Sequence, residues 1–160
     1  MEAKAVSASR AEFTHLVLPP DTNALGTIFG GRIMEWVDIA AAIVSQRHCR
    51  TTAVTASIDE LHFIHPVRLG DIVILKVSVN YVHKSSMEIG VSVEAEDPRS
   101  GLRRQTSSAF LTFVALDEAG KPTPVPPLIL ETQEDQKRFE AGRIRMERRK
   151  QQRLKRQKKG

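Results

Sequence analysis

Apolar and polar residues follow two different periods along this chain, and each change of period marks an element. From Arg32 to about His48 the apolar positions Ile33, Trp36, Val37, Ala40, Ala41, Ile43 and Val44 recur every three to four residues, which predicts an amphipathic helix. Its run of small residues, Ala40–Ala42, suits close packing on more than one side. Elsewhere the period is two. Phe13–Leu18 reads as a short strand stopped by Pro19-Pro20, and Ala53–Phe63, Ile72–His83, Met87–Glu96 and Leu102–Leu116 read as long strands. Lys84-Ser85-Ser86 and Asp97–Gly101 are turns between them. Long strands joined by short turns predict an antiparallel meander.

One apolar helix and one such sheet have only each other to bury against. The expected fold is therefore α+β, a curved antiparallel sheet wrapped around one long central helix. Such a layer leaves sheet edges and a helix flank open, which favours pairing of two copies. Pro-rich Asp117–Pro127 reads as an exit linker. The chain divides into an extension (1–12), a body (13–127) and a C-terminal helix and tail (128–160).

Charge sharpens this division. The net charge is +5 and the pI is near 9.7, values that alone suggest a nucleic-acid partner. Yet residues 136–160 hold 12 Lys and Arg against Glu140 and Glu147, a net of +10, so residues 1–135 carry −5. An acidic body bears a basic tail. Phe139, Gly142, Arg143 and Met146 fall on one helical face that could dock on the body, whereas the stretch beyond Lys150 has little to bury and is expected to fray.

Composition is that of an ordinary soluble protein, with 41% hydrophobic and 27% charged residues. No apolar run approaches the ~18 residues of a membrane span, and the polar start shows no secretory signal. The single Cys49 fits a reducing, cytoplasmic setting. No G-x-S-x-G elbow, Walker loop or G-x-G-x-x-G is present. His62 and His65 point to opposite strand faces and have no Cys partner, so no metal site is expected.

Chemistry concentrates in Pro20–Gly31 and the helix after it. Gly30 and Gly31 allow a ligand to approach the helix start, where free N–H groups and the helix dipole can polarise a carbonyl oxygen. Asn23 supplies a side-chain amide nearby, though turn chemistry accounts for it equally well. Asp38 interrupts the most apolar part of the helix. A carboxylate there needs a partner or a task, and partial desolvation would raise its basicity, as a general base requires.

The runs PPDTNALGTIFGGRIMEWVDIAAAIVSQRH, TASIDELHFIHPVRLGD and VHKSSMEIGVSVEAEDP closely resemble the acyl-CoA thioesterases of the hotdog fold, over Phe13 to Val114. The resemblance implies hydrolysis of acyl-CoA to CoA and a carboxylic acid, within fatty acid metabolism. It implies a dimer, assembled further into a trimer of dimers, and no cofactor, coenzyme A being part of the substrate. It implies a site formed by Asn23 and Asp38 from opposite subunits, with Asp38 as nucleophile or base and Asn23 orienting water or the carbonyl. It also places Ala56, Ser57, Ile58, Ser85, Ser86 and Met87 along the CoA nucleotide, with Lys84 adjacent. Arg143 and Arg145 of the tail are candidates for the CoA phosphates.

Three other readings compete. A non-catalytic acyl-CoA-binding module would not need both Asn23 and Asp38. RNA binding through the tail lacks aromatic stacking residues, since the one Trp and one Tyr lie in the body. A hotdog dehydratase would need a His beside the helix carboxylate.

Overall fold

A computed structural model describes residues 1–160. Seven strands, two α-helices and two short 3-10 turns follow in the order β1 (Lys4–Ala5), β2 (Ala11–Leu16), α1 (Gly30–Cys49), β3 (Thr52–Phe63), β4 (Ile72–His83), β5 (Ser86–Glu96), β6 (Arg103–Leu116), β7 (Leu128–Ile129) and α2 (Gln133–Lys159). Helix α1 begins two residues earlier than the apolar period suggests, so Gly30 and Gly31 form its first turn.

Strands β2 to β6 form one antiparallel sheet in the order β2-β4-β5-β6-β3. This corrects the simple meander. Only β4-β5-β6 run as consecutive hairpins; β3 crosses to pair with β6, and β2 takes the free edge of β4. Alternation decides which side chains face the helix, but not which strand lies next door. The first strand also begins at Ala11 rather than Phe13, because Ala11–Leu16 stay in register with Ile72–Val77.

The sheet curves around α1 as expected. Ile33, Val37, Ala40, Ala41 and Val44 of α1 are buried against Leu75, Val79, Met87, Ile89, Leu111 and Phe113. Each such large aliphatic or aromatic side chain contributes about 1.5–3 kcal/mol. Helix α1 ends on Arg50 in the left-handed conformation (φ 57°). Buried His48 holds the exit linker there, its Nε2–H donating to the Pro126 carbonyl at 2.8 Å.

Helix α2 covers part of the opposite sheet face. It does not stop at Lys150: it continues to Lys159, exposed on all sides over its last ten residues. The tail was expected to fray for lack of buried surface. Gln, Arg, Lys and Leu are good helix formers, a Thr132–Asp135 capping box closes the N-terminus, and cations in the last turn suit the helix dipole. The docked half meets the sheet at Gly142, where a Cβ would lie 2.8 Å from Tyr81 Cβ, and at Phe139, packed edge-on to Tyr81. Beneath it lies Glu88, with no exposed surface, accepting from Arg145 Nη2 at 2.7 Å, Arg149 Nη2 at 2.6 Å and Asn80 Nδ2 at 3.1 Å. Arg149 also reaches Asp59. Burial pushes the Glu88 carboxyl up, but the donors from Arg145, Arg149 and Asn80 more than reverse this, leaving it below the usual glutamate range.

Candidate active site

The loop before α1 is a tightly tied turn. Asp21 accepts from the Leu18 N–H and pairs with Arg32 in the first turn of α1 at 3.1 Å, fixing loop to helix. Asn23 Oδ1 accepts from the N–H groups of Leu25 (2.9 Å) and Thr27 (3.2 Å), while its Nδ2 donates to Thr27 Oγ1. Gly26, at φ 76°, closes the turn. The turn role of Asn23 is thus present, yet its amide nitrogen carries a second proton that the loop leaves over. The loop tip thrusts Leu25 and Phe29 into solvent.

At the helix start the N–H groups of Gly30 and Gly31 make no backbone hydrogen bond; the first intrahelical donor is Arg32, to the Phe29 carbonyl. These are the free donors that the paired glycines suggested. A Cβ on Gly30 would press on the Phe63 ring at 3.2 Å.

Asp38 lies half-buried on α1, and its Oδ1 accepts from Thr55 Oγ1 of β3 at 2.6 Å. Thr55 is the residue that sequence reasoning missed. Nothing in a strand of alternating Thr, Val and Ser singles it out; only the packing of β3 on α1 does. On α1, Met34 and Ile39, one turn before and one residue after Asp38, are each more than 40% exposed, and β3 is a sheet edge with no neighbouring strand on its outer side.

No hydrogen bond joins Asn23 to Asp38 within the chain. Asp38 also stands eight residues beyond Gly30, about 12 Å along the helix at ~1.5 Å per residue. One thioester-sized group cannot touch the helix start and Asp38 of the same α1.

A second groove, of about 580 Å³, lies on the outer sheet face between α2 and the β4–β5 turn. It gathers Ala56, Ser57, Lys84 and Ser86 of the residues expected along the nucleotide. A β-bulge between Thr55 and Ser57 brings this about. Two residues apart on a regular strand share a face, but here Thr55 pairs opposite core-facing Phe113 and Ser57 opposite Thr112 on the outer face. The same strand thus serves Asp38 on one side and the groove on the other.

The remaining candidates fall elsewhere. Met87 is fully buried in the core, Ile58 packs against it, and Ser85 meets β6 through its carbonyl, which accepts from the Ala115 N–H. Their place in the alternation turns them inward, or fixes them through the backbone. Arg143 is exposed and pairs with Glu140. Arg145 is committed to Glu88 and lies 3.6 Å over the Phe110 ring centroid. Neither of these two arginines lines the groove: helical phase turns Met146, Arg149, Lys150, Arg153 and Arg156 toward it instead.

Comparison with known proteins places this arrangement. The Thioesterase superfamily model matches residues 25–102. An uncharacterized acyl-CoA thioester hydrolase of Bacillus subtilis is 45% identical over 134 residues, covering 84% of this chain and 74% of that protein. The chain belongs to the thioesterase superfamily. A solved apo-hexameric acyl-CoA thioesterase shares the fold, with a TM-score of 0.91 and 41% identity over 95% of this chain and 97% of that one. The sheet wrapped around α1 is therefore a hotdog fold. The cytosolic acyl coenzyme A thioester hydrolase of Rattus norvegicus is 42% identical over 147 residues. This superfamily chain covers 90% of its own length in that match but spans only 38% of the rat protein.

Proposed function

We propose that this chain hydrolyses acyl-CoA, releasing free CoA and a carboxylic acid, at a site shared between two copies. The observation that carries the reading is the Asp38–Thr55 hydrogen bond on the apolar, uncovered flank of α1 and β3. A carboxylate held there by one short donor is oriented but not neutralised by any cation. It can take a proton from water, or attack the carbonyl carbon itself.

A second copy supplies what one chain lacks. Pairing of these flanks about a two-fold axis brings the loop and helix start of one copy to the Asp38 of the other. The Gly30 and Gly31 N–H groups then polarise the thioester carbonyl, the spare Asn23 N–H holds the carbonyl or the water, and Asp38 of the partner copy drives the attack. The thiolate of CoA leaves as the carbon–sulfur bond breaks. Two equivalent sites result, and the apo-hexameric relative supports a trimer of such dimers. The names of the Bacillus and rat relatives support acyl-CoA as the substrate class, and the rat name supports a cytoplasmic location. No helix is long and apolar enough to cross a membrane.

The test is thiol release from a panel of acyl-CoAs, from acetyl to palmitoyl, by wild type and Asp38→Asn. Positioned acid–base help is worth ~10²–10⁴-fold, and kcat should fall by that factor with the fold unchanged. Near-normal turnover by Asp38→Asn would refute the assignment.

A further inference from the structure

Strand β3 carries a second bulge, near its end. It lies between Asp59, opposite Phe110, and His62, opposite Ser108, with Glu60 in the left-handed conformation at φ 55°. A residue with a Cβ adopts that conformation at a cost, and bulges beside active sites often re-aim a side chain. The register shows what is re-aimed. On an unbroken strand His62 would fall opposite Ser107; with the extra residue Phe63 does. Ser107 is fully buried and shares its face of β6 with buried Ala109 and Leu111, the face toward α1. The bulge thus puts a phenyl ring, in place of an imidazole, on the helix side of the sheet.

That ring stands against the start of α1. A Cβ on Gly30 would lie 3.2 Å from both its Cε2 and its Cζ, whereas one on Gly31 would meet nothing within 4 Å. The two free N–H groups therefore have a wall on one side and open space on the other. The wall is held in place through its backbone. The Ile64 N–H donates to the Thr106 carbonyl at 2.8 Å, and the Pro66 carbonyl accepts from Arg104 Nη2 at 2.8 Å. The Val67 carbonyl accepts from the Ile28 N–H at 2.8 Å, which ties the segment to the loop of Asn23. Phe63 nevertheless stays 51% exposed.

Resting on the thioesterase reading, we propose that Phe63 selects the acyl chain by walling the carbons next to the thioester carbonyl. With the carbonyl oxygen on the Gly30 and Gly31 N–H groups, the ring flanks the substituents of the carbonyl carbon. The nucleotide and pantetheine parts of CoA carry charges and amides that need polar partners, and a phenyl ring offers none. The acyl chain is all carbon and hydrogen, and a straight one gains by lying along the ring. A chain branched at the carbon next to the carbonyl directs a methyl at the ring, and overfilling a fixed wall is unfavourable.

Butyryl-CoA and isobutyryl-CoA test this, because they have the same atoms and differ only in where one methyl sits. kcat/KM for each is measured with wild type, Phe63→Leu and Phe63→Ala, with circular dichroism and gel filtration checking fold and assembly. Wild type should prefer butyryl-CoA by about tenfold or more, the discrimination one methyl group supports in an apolar pocket. The preference should shrink at least about threefold in Phe63→Leu and fall to within about twofold of unity in Phe63→Ala. Phe63→Leu keeps an apolar side chain and carries the test should Phe63→Ala fail to assemble. An unchanged preference, or an equal fall for both substrates, overturns the inference, since the ring then only packs the fold or the contact between copies. A wild type that takes both substrates equally overturns it too. If wild type hydrolyses no acyl-CoA, it is the thioesterase reading that fails. The ketones S-(2-oxopentyl)-CoA and S-(3-methyl-2-oxobutyl)-CoA, which present the same straight and branched chains on a carbonyl without a thioester, then decide the inference by calorimetry. A Kd ratio that collapses in Phe63→Ala upholds it, and an unmoved ratio overturns it.

Discussion

Replacing Glu88 by Gln removes one charge and no volume from beneath α2. The wild-type carboxylate has no exposed surface and receives Arg145, Arg149 and Asn80. Arg145 and Arg149 are themselves only 21% and 17% exposed, so water replaces the lost partner only in part. Arg149 keeps Asp59, but Arg145 keeps only the Phe110 ring. Removing one member of a buried ion pair costs ~3–5 kcal/mol, and because Gln retains an acceptor oxygen the lower end applies, about 3 kcal/mol. With a urea slope of ~1–3 kcal/mol/M, the unfolding midpoint should fall by about 1–3 M. Trp36 fluorescence at fixed protein concentration reads it, since assembly shifts apparent stability. Trypsin reads the tail directly: its Lys and Arg sites should be cut faster in Glu88→Gln as α2 undocks. Acid should mimic the substitution. The folded carboxyl lies below the usual 4.5, so its contribution is complete above pH 4.5 and is lost as pH falls below it. A variant within ~0.5 kcal/mol of wild type, with equal trypsin resistance, would refute the view that Glu88 anchors the helix.

Other outcomes follow from the same geometry. Thr55→Val removes the sole side-chain donor to Asp38. kcat/KM should fall about tenfold or more, because the carboxylate is no longer held in place; Thr55→Ser, which restores the hydroxyl, should recover most of the rate, and no recovery would mean Thr55 acts only on packing. His48 is depressed below its ordinary 6.5, chiefly by burial and also by Lys4, against the opposing pull of the Pro126 carbonyl. The unfolded chain therefore binds the extra proton first, and stability should decline as pH falls below about 6.5 toward the lowered value. Urea midpoints across that window should flatten in His48→Gln.

The periodicities carried most of the fold. A 3.6-residue pattern marked α1, and period-two runs placed every long strand to within two residues. Both depend on local geometry alone. The candidate site stands out where residue type and context clash: Asp38 inside an apolar helix, and paired glycines at its start. Thr55 was invisible, because a threonine on a β-strand is ordinary until its hydroxyl is seen 2.6 Å from Asp38. The tail arginines cannot be told apart in the sequence for a similar reason. Arg143, Arg145, Arg149, Arg153 and Arg156 are equivalent in composition, and only the docking phase of α2 separates Arg143 and Arg145 from Arg149, Arg153 and Arg156, which line the groove.

Local spacing alone carries the elements, the inward face of each, the acidic body and basic tail, and the candidate loop and helix, because each is written in spacings of a few residues. Strand order, the bulge that turns β3 from one face to the other, and the partners of Arg145 and Arg149 on α2 were settled only by the packing of the folded chain. Those depend on contacts between residues 17 to 90 positions apart, such as Thr55 with Asp38 and Arg149 with Asp59, and no local pattern encodes them.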